Sequence, residues 1–336
     1  MDLLIWGAGA IGGTIGAYLI RAGHKVTFVD RAAEHVAAIN GSGLTITGPI
    51  DQFTVPAQAY VPEGLAGAFT HVLLCVKAQD TEQAACLIAP HLAPDGYIAS
   101  MQNGLNELVI ARVAGQERTV GAFINFGADY LEPGVILYGG RGAVVVGELD
   151  GSLSDRVRAL QKTLLDFEPN AIVSANIWGY LWGKMAYGAQ LFATALTNES
   201  IADCLADATY RPVYIALAQE ILRVAAAIGV MPEPFNGFDP RAFVPSAATE
   251  VSLRSLDDMV AFNRRSAKTH SGIWRDLAVR KRRTEADAQL GPIVAYGQQH
   301  GVETPLTARL IALIHAIEDG ELPQQGANLD ELKVLL

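Results

Sequence analysis

The sequence predicts an α/β fold, a doubly wound parallel sheet over residues 1–175 followed by an all-helical domain over residues 176–336. Three observations predict it. Short apolar runs of strand length alternate with helical patterns in the first half, and those runs lack polar alternation, as strands buried on both faces do. A glycine-rich turn joins the first run to the first helical pattern. From Ile177 onward the chain reads as helices alone.

Taken in order, Asp2–Trp6, Val26–Asp30, His71–Lys77 and Tyr97–Gln102 read as strands. Ala10–Ala22 reads as a helix ending at Gly23, and Thr81–Ala89 as another stopped by Pro90. This is a βαβ rhythm. Val120–Glu148 reads as further strands, with a turn at Pro133-Gly134 and a glycine-rich hairpin near Gly139–Gly142. Ala171–Ser174 is a last short strand. In the second half, Pro212 opens a helix whose stripe Tyr214, Leu217, Ile221, Val224 and Ile228 is closed by Gly229. Met231–Pro245 carries four prolines and reads as a long connection. Helical patterns resume to Leu290, break at Gly291-Pro292 and run again through Ile311–Ile317.

A chain of 336 residues is long enough for two domains of about 100–200 residues each. Half its residues are hydrophobic and 18% are charged, which excludes disorder. The net charge of −10, with Arg280–Arg283 as the one basic run, argues against nucleic acid as a partner. Cys75, Cys86 and Cys204 are widely spaced and form no Cys/His cluster. Neither a disulfide framework nor a metal site is expected, and the usage suits a reducing cytoplasm. Leu3–Ile20 is apolar but interrupted by five glycines, so it reads as neither a signal peptide nor a membrane span. The expectation is a soluble cytoplasmic protein without a membrane partner.

Gly7-Ala8-Gly9-Ala10-Ile11-Gly12 is a G-x-G-x-x-G between a strand and a helix, the fingerprint of a Rossmann-type dinucleotide cradle. The first glycine permits the tight turn, the second lets a pyrophosphate approach the backbone, and the third lets helix and sheet pack closely. The helix N-terminus adds amide donors and the positive end of a dipole. The plain alternative is a strand–helix turn without a ligand. Asp30 ends the second strand 18 residues past Gly12, where a carboxylate accepts hydrogen bonds from a ribose and favours NAD(H). Arg31 beside it points the other way, toward a 2′-phosphate or stacking on adenine, or else it is a solvated surface charge.

Further pieces, in order along nearly the whole chain, resemble the ketopantoate (2-dehydropantoate) reductase family. They are Cys75-Val76-Lys77-Ala78, Gln102-Asn103-Gly104, Pro133-Gly134 with Gly147-Glu148, Trp182-Gly183-Lys184-Met185, and Arg283-Thr284-Glu285-Ala286-Asp287. The resemblance implies a Rossmann domain joined to a helical domain like the C-terminal one of 6-phosphogluconate dehydrogenase, with the active site in the cleft between them. It implies NADP(H) as cofactor, a small 2-oxo acid reduced to a 2-hydroxy acid, and a place in pantothenate biosynthesis. A homodimer is compatible with it. Lys184 would be the proton donor to the carbonyl oxygen, with Glu285 assisting. Asn103 would lie near nicotinamide and substrate, and Lys77 would contact the cofactor or active site.

The chemistry suits these residue types. Hydride delivery to a 2-oxo carbon builds negative charge on oxygen, and an ammonium there is both stabiliser and proton source. Structural readings stand beside each assignment. Lys184, between Trp182 and Met185, reads also as a lysine snorkelling from a buried face. Glu285 follows Lys281 by four residues, the spacing of a helix ion pair, and Asp276, Arg280, Arg283 and Asp287 form a similar structural ladder. Lys77 reads also as a solvated strand end, Asn103-Gly104 as a turn pair, and His270 as a structural histidine.

The chain departs from the family where substrate would be held. The family usually carries asparagines one and two helical turns after the lysine, where this chain has Gly188 and Phe192. The usual serine aligns with Gly272, adjoining Ser271, and His270 and Trp274 are additions. Gly188, Phe192, His270 and Ser271 thus join Lys184 as candidate substrate contacts, in a pocket with more apolar surface than one that reads hydroxyls. Two competing functions follow. One is a related 2-hydroxy acid or opine-type dehydrogenase acting on a different, more apolar substrate, or a 6-phosphogluconate-like dehydrogenase. The other is a non-catalytic dinucleotide-binding or sensing protein.

Overall fold

A computed structural model describes residues 1–235, 237–265 and 269–336. Asn236, inside the expected connection at 231–245, lies outside the described residues. The chain divides into two compact units, Met1–Ile177 and Trp178–Leu336.

The first unit carries β1 (Asp2–Trp6), α1 (Ala10–Arg21), β2 (Lys25–Val29), α2 (Ala33–Ser42), β3 (Leu44–Thr47), β4 (Phe53–Val55), β5 (Gln58–Tyr60) and β6 (Phe69–Leu74). It continues with α3 (Thr81–Ile88), β7 (Leu92–Ser100), α4 (Glu107–Ala114), β8 (Thr119–Glu132), β9 (Val135–Glu148), α5 (Asp155–Leu164) and β10 (Ile172–Val173). Six strands run parallel in the order β5-β2-β1-β6-β7-β8. Counted along that set, this is the Rossmann order 3-2-1-4-5-6. Beyond β8 the sheet becomes mixed: β9 returns antiparallel, and β3, β4 and β10 extend it.

The period of two in β1 shows why the apolar runs are continuous. Leu3 and Ile5 pack with Ile15, Tyr18 and Phe167 on one face. Leu4 and Trp6 pack with Ala84, Ile88 and Ile110 on the other. Both faces are covered by helices, so each alternate side chain contributes burial of about 1.5–3 kcal/mol.

One expectation is corrected here. Gly139–Gly142 forms no hairpin of its own but lies inside β9, and the reversal is at Pro133-Gly134, where Gly134 has φ +79°. The glycines instead sit where the β8–β9 register shifts, between the pairs Asn125–Ala143 and Gly127–Gly140. A glycine inside a strand marks a bulge as readily as a turn.

The second unit contains most of α6 (Ile177–Thr194), then α7 (Ile201–Ala206), α8 (Arg211–Ala227), α9 (Thr249–Arg264), α10 (Gly272–Ala278), α11 (Ala286–His300), α12 (Pro305–Glu318) and α13 (Asp330–Lys333). Its core includes Trp182, Phe192, Tyr214, Leu217, Ile221, Leu290 and Leu310. Glu220, buried on α8, accepts the Leu306 and Thr307 amides at 2.9 and 2.8 Å and so caps α12.

The expected break at Gly291-Pro292 is absent. Pro292 lies inside α11, whose buried face of Leu290, Ile293 and Gly297 holds the helix through the missing amide. The interruption falls earlier, between Ala278 and Ala286, where Lys281 takes φ +49°. Among the described residues, no helix is long and apolar enough to cross a membrane.

Candidate functional site

The carboxyl ends of β1, β6 and β7 are stitched together by main-chain bonds. Cys75 N–H donates to the Trp6 carbonyl at 2.8 Å, and Met101 N–H to the Leu74 carbonyl at 2.9 Å. The loops that follow these strands therefore start from one edge of the sheet. β1 and β6 flank the point where strand order reverses, and open α/β sheets bind ligands outside the carboxyl ends at such a point.

Gly7 turns away from β1 with φ +101°, and a Cβ there would sit 2.9 Å from the Cys75 carbonyl carbon. Gly12 is required by the same loop, because its Cβ would overlap the Gly7 carbonyl oxygen. Gly9 is different. It precedes α1 as the N-cap, and a Cβ there meets nothing within 4 Å. Gly9, Ala10 and Ile11 are all half-exposed at the start of α1, where amides lack helical partners. Open space over a glycine at a helix N-terminus leaves its amides accessible to a pyrophosphate. Burial pushes the Cys75 thiol above its ordinary value, which favours the neutral form beside this cradle.

Asp30 sits one residue past β2. Its carboxylate accepts the Ala8 N–H at 2.9 Å and the Ala32 N–H at 3.0 Å. Arg31 is 77% exposed and reaches Asp80 at 3.5 Å. His35, on α2, is buried and stands 2.9 Å from both the Ala8 carbonyl oxygen and the Gly134 nitrogen. Nothing in the sequence marks His35, because its role depends on a turn 99 residues away.

Lys77 follows β6, and Asn103 follows β7 in an exposed turn with Gly104 at φ +105°. The buried Gln102 amide donates to the Val76 carbonyl at 2.9 Å and to the Thr81 hydroxyl at 2.8 Å. Thr81 donates to Asn106, whose amide donates to the Asn103 carbonyl at 2.7 Å. The loops bearing Lys77 and Asn103 are thereby held by one polar network.

In the helical unit, α6 shows a half-exposed stripe of Tyr180, Lys184, Tyr187, Gly188 and Leu191. Lys184 and Gly188 share it one turn apart, and a Cβ on Gly188 would meet nothing within 4 Å. Phe192, one turn further, is 0% exposed and belongs to the core. Ser271 is buried and caps α10 by accepting the Trp274 amide. The His270 ring lies 4.0 Å from that of Trp274, and Asn198 bridges them, its carbonyl 3.2 Å from His270 Nε2 and its side chain accepting from the indole.

Glu285 precedes α11, in a loop and not on a helix, so the helical spacing from Lys281 does not apply. Of the expected ladder the Asp276–Arg280 step forms, while Arg283 and Asp287 find other partners. Asp276 pairs with Arg280 and Arg282, Asp287 with His315, and Arg283 with Glu318 and Asp319. The Glu318 side chain, 3% exposed, also accepts the Thr284 amide at 2.6 Å. That clamp fixes the residue before Glu285, and only the fold reveals it, since Glu318 comes from the end of α12.

Two family models match the chain: ketopantoate reductase PanE/ApbA over residues 3–151, and its C-terminal counterpart over residues 176–318. The chain is 30% identical to a 2-dehydropantoate 2-reductase of Archaeoglobus fulgidus, over 94% of this chain and 97% of the relative. A crystal structure of 2-dehydropantoate 2-reductase from Geobacter metallireducens superposes with TM-score 0.81 at 25% identity, covering 94% of this chain and 99% of the other. D-mandelate dehydrogenase in ternary complex with NADH and anilino(oxo)acetate superposes with TM-score 0.82 at 24% identity, covering 95% and 99%, a likeness of fold.

Proposed function

We propose that this chain, which belongs to the ketopantoate reductase family, reduces a small 2-oxo acid to the 2-hydroxy acid with a nicotinamide dinucleotide. It is an oxidoreductase acting on the CH–OH group. The observation that carries the reading is the cradle at the strand-order reversal, closed to side chains at Gly7 and Gly12 and open above Gly9.

In this reading the domain of residues 1–175 holds the dinucleotide and that of residues 176–336 holds substrate and proton donor. The backbone of residues 7–12 cradles the pyrophosphate, and Asp30 accepts from the adenosine ribose. A reduced nicotinamide, when bound, supplies hydride to the carbonyl carbon. The Lys184 ammonium stabilises the charge growing on the carbonyl oxygen and gives it a proton. Glu285 orients that ammonium, and Asn103 and Lys77 hold the reacting end of cofactor and substrate.

The reading takes NAD(H) as the cofactor. Two backbone amides pin the Asp30 carboxylate in place, so a fixed negative charge meets any 2′-phosphate, while each oxygen keeps a lone pair for ribose hydroxyls. Gly188 favours a second reading of the substrate. With no side chain and open space one turn from Lys184, that position leaves room for a 2-oxo acid bulkier or more apolar than ketopantoate. The test is a panel of 2-oxo acids, ketopantoate and aryl or branched analogues among them, assayed with NADH and NADPH by nicotinamide absorbance. Turnover of none with either cofactor sinks the proposal.

A further inference from the structure

We infer that His35 is a positioning residue of the dinucleotide cradle, aiming the Gly9 amide at the ligand by holding the Ala8 carbonyl. The inference rests on the dinucleotide reading above and adds a residue to it.

Both polar groups of Ala8 are held, by two side chains from the end of β2 and the start of α2. Its N–H goes to Asp30 at 2.9 Å and its carbonyl oxygen to His35 Nε2 at 2.9 Å. A trans peptide points its C=O and the next N–H in opposite directions. Pulling the Ala8 N–H toward Asp30 therefore turns the Gly7 carbonyl toward α1, which is why Gly12 tolerates no Cβ. By the same rule, pulling the Ala8 carbonyl toward buried His35 turns the Gly9 N–H outward, on the residue whose Cβ position is open.

The imidazole can do this in one form only. The Gly134 N–H donates to Nδ1 at 2.9 Å, so Nδ1 carries no hydrogen and the ring proton is on Nε2, where it donates to Ala8. The ring is 1% exposed and sits edge-on to Tyr130, with centroids 5.0 Å apart. Its orientation is thus set by the β8–β9 turn, and the cradle is coupled to a hairpin distant in sequence. An amide left free to rotate loses the benefit of prior orientation, and one well-aligned donor to a phosphate is worth on the order of tenfold in affinity.

Calorimetric titration of the full chain with NADH and NADPH tests this in His35→Ala, His35→Gln and His35→Asn. The Gln amide reaches the Nε2 position and keeps the donor to Ala8. The Asn side chain reaches only the Nδ1 position and keeps the acceptor for Gly134. The expected result is a Kd raised about tenfold in Asn and Ala, and within about threefold of wild type in Gln. The KM for dinucleotide should follow the Kd, and the KM for the oxo acid should stay unmoved. Asn binding as tightly as wild type, or Gln as weakly as Asn, overturns the inference. So does a rise of both KM values together. Because Gln and Asn are compared with each other, the comparison decides the matter even if the Ala variant unfolds. Wild-type protein that binds neither dinucleotide overturns the functional reading and this inference together, whereas wild-type binding with indifferent variants overturns this inference alone.

Discussion

Asp30 and Ala8 are joined by a 2.9 Å hydrogen bond from the loop amide to the carboxylate, so the residue that would read the ribose also shapes the turn that would hold the phosphates. Asp30→Asn keeps an acceptor for one amide and removes the charge. The expected outcome is a shift of the NADPH-to-NADH ratio of kcat/KM by roughly tenfold toward NADPH, since the repulsion against a 2′-phosphate is gone and Arg31 remains. Steady-state kinetics with both cofactors check it, and an unchanged ratio removes Asp30 from cofactor choice.

Two glycines of one motif should fail for opposite reasons. Gly9→Val projects into open space, so the fold should survive with a melting temperature near wild type while dinucleotide affinity falls by about a hundredfold or more. Gly12→Ala meets the Gly7 carbonyl and should lower the melting temperature before any question of binding arises. Calorimetry and binding on the pair separate the two; a well-folded Gly9→Val that binds normally contradicts the cradle.

Lys184→Ala should reduce kcat by at least about a hundredfold, the usual contribution of a positioned general acid, with dinucleotide Kd within about twofold of wild type. A kcat within a factor of three of wild type ends its catalytic role.

Glu220→Ala strips the N-terminus of α12 of its buried cap and leaves the Leu306 and Thr307 amides unpaired. The expected loss is about 2–4 kcal/mol, seen as a melting temperature lower by roughly 5–10 °C. Glu220→Gln should recover part of it by keeping one carbonyl acceptor. A variant as stable as wild type would mean that the helix end finds other partners.

Much of this protein could be read from local pattern. β1, α1 and the turn between them were legible because strand burial, the glycine spacing and the helix start are all set within about twenty residues. β3, β4 and β5 were not, being three or four residues long and partly polar; β3 is tied to the sheet by β9 and β5 by β2, both far along the chain, and β4 only adds to β3. Gly139–Gly142 misled because glycine signals turn and bulge alike, and only the opposite strand tells them apart. Pro292 misled because tertiary packing outweighs one missing hydrogen bond.

The sequence by itself determined the class of the fold, the cradle and the residue types available for proton transfer, since these depend on periodicity and on glycines that no other residue replaces. Only the tertiary structure decided that Ala8 is gripped by Asp30 and His35, that Glu285 follows a clamp from α12, and that Phe192 is core while Gly188 is open. Those outcomes depend on contacts between segments tens of residues apart, and a hydrogen bond across such a distance leaves no period in the chain.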